Sequence, residues 1–116
     1  NDGKGLRSRK ILSEIISGKK AITSSLAIDE IMWVIIRNKQ SDELRAFIED
    51  IYRIKNLDIK SVSSLIPLRA LKFMEEYHLK PRDAFHLAVM EENGCKEIVT
   101  DDADFDKVTS VKRIRI

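Results

Sequence analysis

Short runs rich in β-branched residues alternate with longer segments of helical period along this chain, and that alternation narrows its fold more than any other feature. Lys20–Thr23, the weaker set Leu57, Ile59 and Val62, Glu97–Thr100 and the tail Val111–Ile116 have the length and residue types of strands. The first helix is predicted over Gly5–Ser17, with Ile11, Leu12, Ile15 and Ile16 on one face and Gly18 to stop it. Two serines, Ser24 and Ser25, suit the cap of a second helix over Leu26–Asn38. Its apolar residues cannot share one stripe, so it is expected to be largely buried, with Trp33 in the core. Ser41 is placed to cap a third helix that carries Leu44, Phe47, Ile48 and Ile51 and ends near Asn56. A fourth runs from Ser63 or Ser64 to Tyr77, with Pro67 tolerable only near its start. A fifth starts at Pro81 and stops at Asn93 and Gly94, and a short helical turn over Ala103–Lys107 precedes the last strand. This rhythm dictates an α/β fold, a mainly parallel sheet with helices on its faces in a three-layer α/β/α arrangement.

The 116 residues suffice for one hydrophobic core, and 43% hydrophobic content is too high for intrinsic disorder. A net charge of +2 excludes binding of a polyanion by bulk basicity, so any such contact must be local. The first twenty residues hold most of the positive excess, as Lys4, Arg7, Arg9, Lys10, Lys19 and Lys20 against Asp2 and Glu14, which reads as a solvated helix face or as a phosphate contact. Cys95 is the single cysteine, so no internal disulfide forms and a cytoplasmic location is the simplest expectation. The longest apolar run, Ile31–Ile36, falls far short of the roughly 20 residues that span a bilayer.

Ligands of a parallel sheet bind where strands hand over to helix N-termini, and three such turns here deliver acids. After Glu97–Thr100 come Asp101, Asp102, Asp104 and Asp106, with only Lys107 nearby to balance them. Capping explains Asp102 but not the group. Asp83 lies in the first turn after Pro81, where the helix dipole alone favours a carboxylate by roughly 0.3–1 kcal/mol. Glu30 adjoins six consecutive apolar residues, and a buried carboxylate needs a cation or donors; satisfying the helix N-terminus is the alternative for Glu30 or its neighbour Asp29. If Glu30, Asp83, Asp102 and Asp104 converge, the counter-charge suited to an all-oxygen set is Mg2+ or Mn2+. Such an ion lowers the pKa of a bound water and neutralises a phosphate, which describes phosphodiester hydrolysis. Thr100 either adds a hydroxyl or is an ordinary strand residue. His86, three residues after Asp83, tunes the site or pairs with a carboxylate, and His78 sits near a helix end. The scattered histidines and cysteine make no zinc site, and no hydrolase elbow, P-loop or dinucleotide glycine pattern is present.

Pro81-Arg82-Asp83-Ala84-Phe85-His86-Leu87-Ala88, followed by Ile98-Val99-Thr100-Asp101-Asp102-Ala103-Asp104-Phe105, resembles the second half of a PIN domain. Ser24–Val34, with Asp29-Glu30, is similar to that family's acidic second motif. The resemblance, to PIN domains of the VapC toxin ribonuclease type, implies a metal-dependent endoribonuclease that leaves a 5′-phosphate end and acts as the toxin of a toxin–antitoxin pair. It implies catalytic Glu30, Asp83 and Asp102, with Asp104 joining them as ligands of Mg2+ or Mn2+. It further implies an RNA substrate, an antitoxin partner and a homodimer. Family members open with an apolar strand ending in an Asp, whereas this chain opens with Asn1-Asp2-Gly3-Lys4. The expectation is one PIN-like domain over 1–116 that lacks a strand of roughly 5–10 residues, or takes it from another chain. That departure keeps a second reading open, a non-catalytic PIN-like module binding RNA or protein. A third is an ordinary α/β partner-binding domain whose acids are only caps.

Overall fold

The computed structural model describes residues 2–116. The chain forms two compact units: one takes the segment up to Lys10 together with Ser63–Ile116, the other Ile11–Val62. Helix α1 (Asp2–Ile16) contributes to both.

In the unit Ile11–Val62, β1 (Ala21–Ser24) pairs in parallel with β2 (Leu57–Lys60), Ala21 opposite Leu57 and Ser24 opposite Lys60. Helix α2 (Ser25–Arg37) starts directly at the end of β1. Ser24 makes that junction: its backbone is extended, and its buried hydroxyl accepts a hydrogen bond from the Ala27 amide at 3.1 Å. The helix buries Ile28 and Ile35, while Trp33 is 57% exposed and Val34 and Ile36 are exposed beside it. The expectation of a largely buried α2 with a core tryptophan is therefore overturned. One face of a helix takes the core, and here Ile28 and Ile35, seven residues apart, define it; the remaining apolar side chains point elsewhere.

The third helix departs from its predicted bounds. Ser41–Glu43 form a 3₁₀ turn with no side-chain cap, α3 spans Leu44–Tyr52, and the chain turns before β2. That turn depends on Asn56, whose φ of 69° lies in the left-handed region, which asparagine enters more readily than most residues. Its amide Nδ2 donates to the carbonyls of Ile15 at 2.9 Å and Ile16 at 3.4 Å, satisfying the end of α1, and its own carbonyl accepts from the Ala21 amide at 2.9 Å. Gly18, at φ 136°, ends α1 as expected.

In the other unit, β3 (Glu97–Val99) pairs in parallel with β4 (Lys112–Ile114). Helix α4 (Ile66–Tyr77) packs on α5 (Pro81–Glu92) through buried Ile66, Ala70 and Phe73 on one side and Ala84, Leu87, Ala88 and Val89 on the other. The rim of the pair is charged: Lys72 Nζ lies 2.5 Å from Glu91 Oε2, and Arg69 Nε 3.5 Å from Glu92 Oε2. His78 caps α4 in the left-handed conformation, and Pro81 occupies the first turn of α5, where its missing amide costs nothing. A 3₁₀ helix over Ala103–Lys107, anchored by buried Phe105, leads through buried Val108 to β4. Each parallel pair stands as a separate two-stranded sheet among the described residues.

Replacing Ser24 by Ala is expected to lower stability by about 1 kcal/mol in urea denaturation. Asn56→Ala should cost more, about 2 kcal/mol, because it both removes the hydrogen bonds and strains the left-handed backbone. Asn56→Gly, which relieves the strain, should lie between Asn56→Ala and the unmodified chain.

Candidate metal and phosphodiester site

Asp101, Asp102, Asp104 and Asp106 follow β3 because the strand ends at Val99 and the chain turns into the 3₁₀ helix. Asp102 is the cap of that helix: its Oδ1 accepts from the Asp104 amide at 2.9 Å, and its own amide donates to the Thr100 hydroxyl at 3.1 Å. The Thr100 hydroxyl thus serves the turn itself. Two of the four carboxylates are answered by protein cations, contrary to the expectation that only Lys107 balances the group. Lys4 of α1 pairs with Asp101. Arg113 of β4 donates from Nε to Asp106 Oδ1 at 2.7 Å and from Nη2 to Oδ2 at 3.1 Å. Among the described residues neither Asp102 nor Asp104 takes part in an ion pair. Ion pairs thus engage the two outer acids and not the two inner ones, of which Asp102 also contributes to the field at Arg113.

The ion pairs shift the outer groups. The hydrogen bond and charge of Lys4 hold the Asp101 carboxyl below its ordinary value of 3.8. The hydrogen bonds from Arg113 do the same for Asp106, and Asp106 in turn holds the guanidinium above its ordinary value.

Asp83 stands in the first turn of α5, half-buried, one residue before the fully buried Ala84. His86 is also half-buried on the same helix. Asp83 and the acids after β3 belong to one unit; Glu30 belongs to the other, half-buried on α2, with Asp29 exposed beside it. The first turn of α2 holds no acid, and its N-terminus is served by Ser24, so neither Glu30 nor Asp29 is needed there. Within neither unit do three described His, Cys, Asp or Glu side chains form a group that could hold a metal ion. Within the unit that holds them, Asp83, Asp102 and Asp104 offer only carboxylate oxygens, the donor type of a hard divalent ion. Sequence reasoning missed Lys4 and Arg113; the signal within its reach was the alternation of Arg113 and Arg115 in the tail, which puts Arg113 on one face of the last strand.

The PIN domain family model matches residues 2–111, and the chain belongs to that family. No curated protein matches it. Among solved structures it is similar to VapBC2 from Rickettsia felis bound to a DNA fragment from their promoter, with a TM-score of 0.71 at 12% identity over 92% of this chain and 83% of that one. It is also similar to a toxin–antitoxin complex from Klebsiella pneumoniae, with a TM-score of 0.58 at 24% identity over 76% of this chain and 68% of that one. At these identities the likeness is one of fold, and together with the family match it carries the expected three-layer α/β/α class with parallel strands.

Because Asp106 titrates below its ordinary value when folded, its contribution to stability is full above 3.8 and disappears as pH falls through the lower folded value. The difference in melting temperature between the unmodified chain and Asp106→Asn is expected to be constant near neutrality and to shrink in acid. A difference that grows as pH falls would contradict the Arg113–Asp106 pairing.

Proposed function

We propose that the chain is a metal-dependent endoribonuclease, the toxin of a toxin–antitoxin pair, that hydrolyses RNA phosphodiester bonds. The observation that carries the reading is the sorting of charge after β3: Lys4 and Arg113 form ion pairs with Asp101 and Asp106, while among the described residues Asp102 and Asp104 form none, Asp102 meeting Arg113 only through its charge. Inner carboxylates left in this state suit a divalent cation. Asp83 at the mouth of α5, and Glu30 on a helix whose N-terminus is already satisfied, complete the acidic set. In this reading Glu30, Asp83 and Asp102 are catalytic, and with Asp104 they hold Mg2+ or Mn2+. When bound, such an ion activates water and neutralises phosphate charge. The chain's own residues contribute orientation: Asp102 is fixed through Oδ1 by the Asp104 amide and through its backbone by Thr100.

The remaining parts of the reading concern context. The reading places the chain, taken as one domain, in the cytoplasm; no described helix is long and apolar enough to cross a membrane. A homodimer and an antitoxin partner are supported by exposed apolar residues, among them Leu65 at the start of α4 and Leu68 and Leu71 within it. The similar solved structures are themselves toxin–antitoxin complexes.

The purified full chain is expected to cut single-stranded RNA with Mn2+ or Mg2+ and to stop with chelator. Glu30→Gln, Asp83→Asn and Asp102→Asn should each lower the rate by about a hundredfold or more at unchanged melting temperature. Full activity in any of these variants removes that residue from the site. Binding of RNA without cleavage by the unmodified chain would favour the non-catalytic PIN-like module.

A further inference from the structure

The guanidinium of Arg113 uses all three of its nitrogens on one short segment. Nε and Nη2 hold the two oxygens of Asp106, and Nη1 donates to the Thr100 carbonyl at 3.3 Å. Thr100 and Asp106 are the two ends of the turn that contains Asp102 and Asp104. One side chain thus closes a loop whose inner residues are the candidate ligands. The arginine half of the clamp is half-buried, its side chain 18% exposed, and β4, which carries it, is paired with β3, which leads into the turn. Thr100 is fastened a second time, its amide donating to the Ile114 carbonyl at 3.1 Å. At the far end Phe105, buried next to Asp106, stops the 3₁₀ helix from lifting away. A planar fork with fixed angles transmits geometry between two anchors; a lysine ammonium, a point charge on a flexible stem, cannot span both carboxylate oxygens and a carbonyl at once.

From this we infer that Arg113 is the positioning residue for Asp102 and Asp104 in the reaction proposed above, setting the direction of the inner carboxylates without touching substrate itself. The inference rests on the nuclease reading for its chemistry, and on the hydrogen bonds alone for its mechanics. Lys4 differs from Arg113 in kind, since its ammonium engages Asp101 as a point charge and lacks the planar fork.

The test compares the full chain with Arg113→Lys, which keeps the charge and loses the fork, and Asp106→Asn, which keeps the arginine and weakens its grip. Three quantities are read: amide hydrogen exchange at Asp104 and Phe105, Mn2+ affinity by electron paramagnetic resonance, and kcat and KM on single-stranded RNA. Faster exchange at both amides, with Mn2+ affinity and kcat each down about 10–100-fold and KM within about twofold, is the expected result in both variants. Unchanged exchange in Arg113→Lys overturns the clamp. Faster exchange with unaltered Mn2+ affinity and kcat overturns the positioning role and leaves a purely structural one. If the unmodified chain neither binds Mn2+ nor cleaves RNA, the nuclease reading fails and takes the catalytic part with it, while the exchange rates still decide whether Arg113 holds the turn.

Discussion

Carboxylates crowded onto one turn repel each other, and the segment Asp101–Asp106 has four of them in six residues. Cations brought from elsewhere meet two of them: Lys4 from α1 and Arg113 from β4. Both pairs are exposed enough that neither adds much to stability alone. Their effect is to decide which acids remain for a ligand. Neutralising the outer pair lets the inner pair, Asp102 and Asp104, be held close together by the backbone without all four charges facing one another.

The support beneath this arrangement is apolar. Phe105 and Val108 are buried at the end and just past the 3₁₀ helix, so the turn is pinned from below while its acids face outward. In the same unit, α4 and α5 meet through Ala70, Ala84 and Ala88, all almost wholly buried, where small side chains let two helices approach closely. Asp83 lies at the edge of that contact. Its backbone is held by the fully buried Ala84 one residue further on.

Much of the fold can be read from residue order. The strand positions, the parallel class, the proline start of α5, the glycine stop of α1 and the 3₁₀ turn over Ala103–Lys107 all follow from local rules of turn chemistry and period. The errors are equally instructive. The exposure of Trp33 was hidden because hydrophobicity states what a side chain prefers, not which face of a helix a neighbour covers. Local period makes Asn56 the tail of a helix; its work, joining the end of α1 to the start of β1, involves residues some forty positions away. Ser41 has the chemistry of a cap but opens a 3₁₀ turn in which its side chain makes no such bond.

For the site, the division follows the same physics. The amino-acid order alone determined that the acids Asp101–Asp106 would follow the strand Glu97–Val99, because strand, turn and 3₁₀ helix are local events decided by a few neighbouring residues. The strand-to-helix turns expected to deliver Asp83 and Glu30 do not do so, since α5 follows α4 and Glu30 lies within α2, beyond its first turn. Residue order also determined which family the motifs resemble. Only tertiary structure decided which of those acids are neutralised and which are not, since that depends on Lys4 and Arg113 arriving from opposite ends of the chain. Coulombic and hydrogen-bond partners act through a few ångströms of space irrespective of separation along the chain, and no local pattern encodes them.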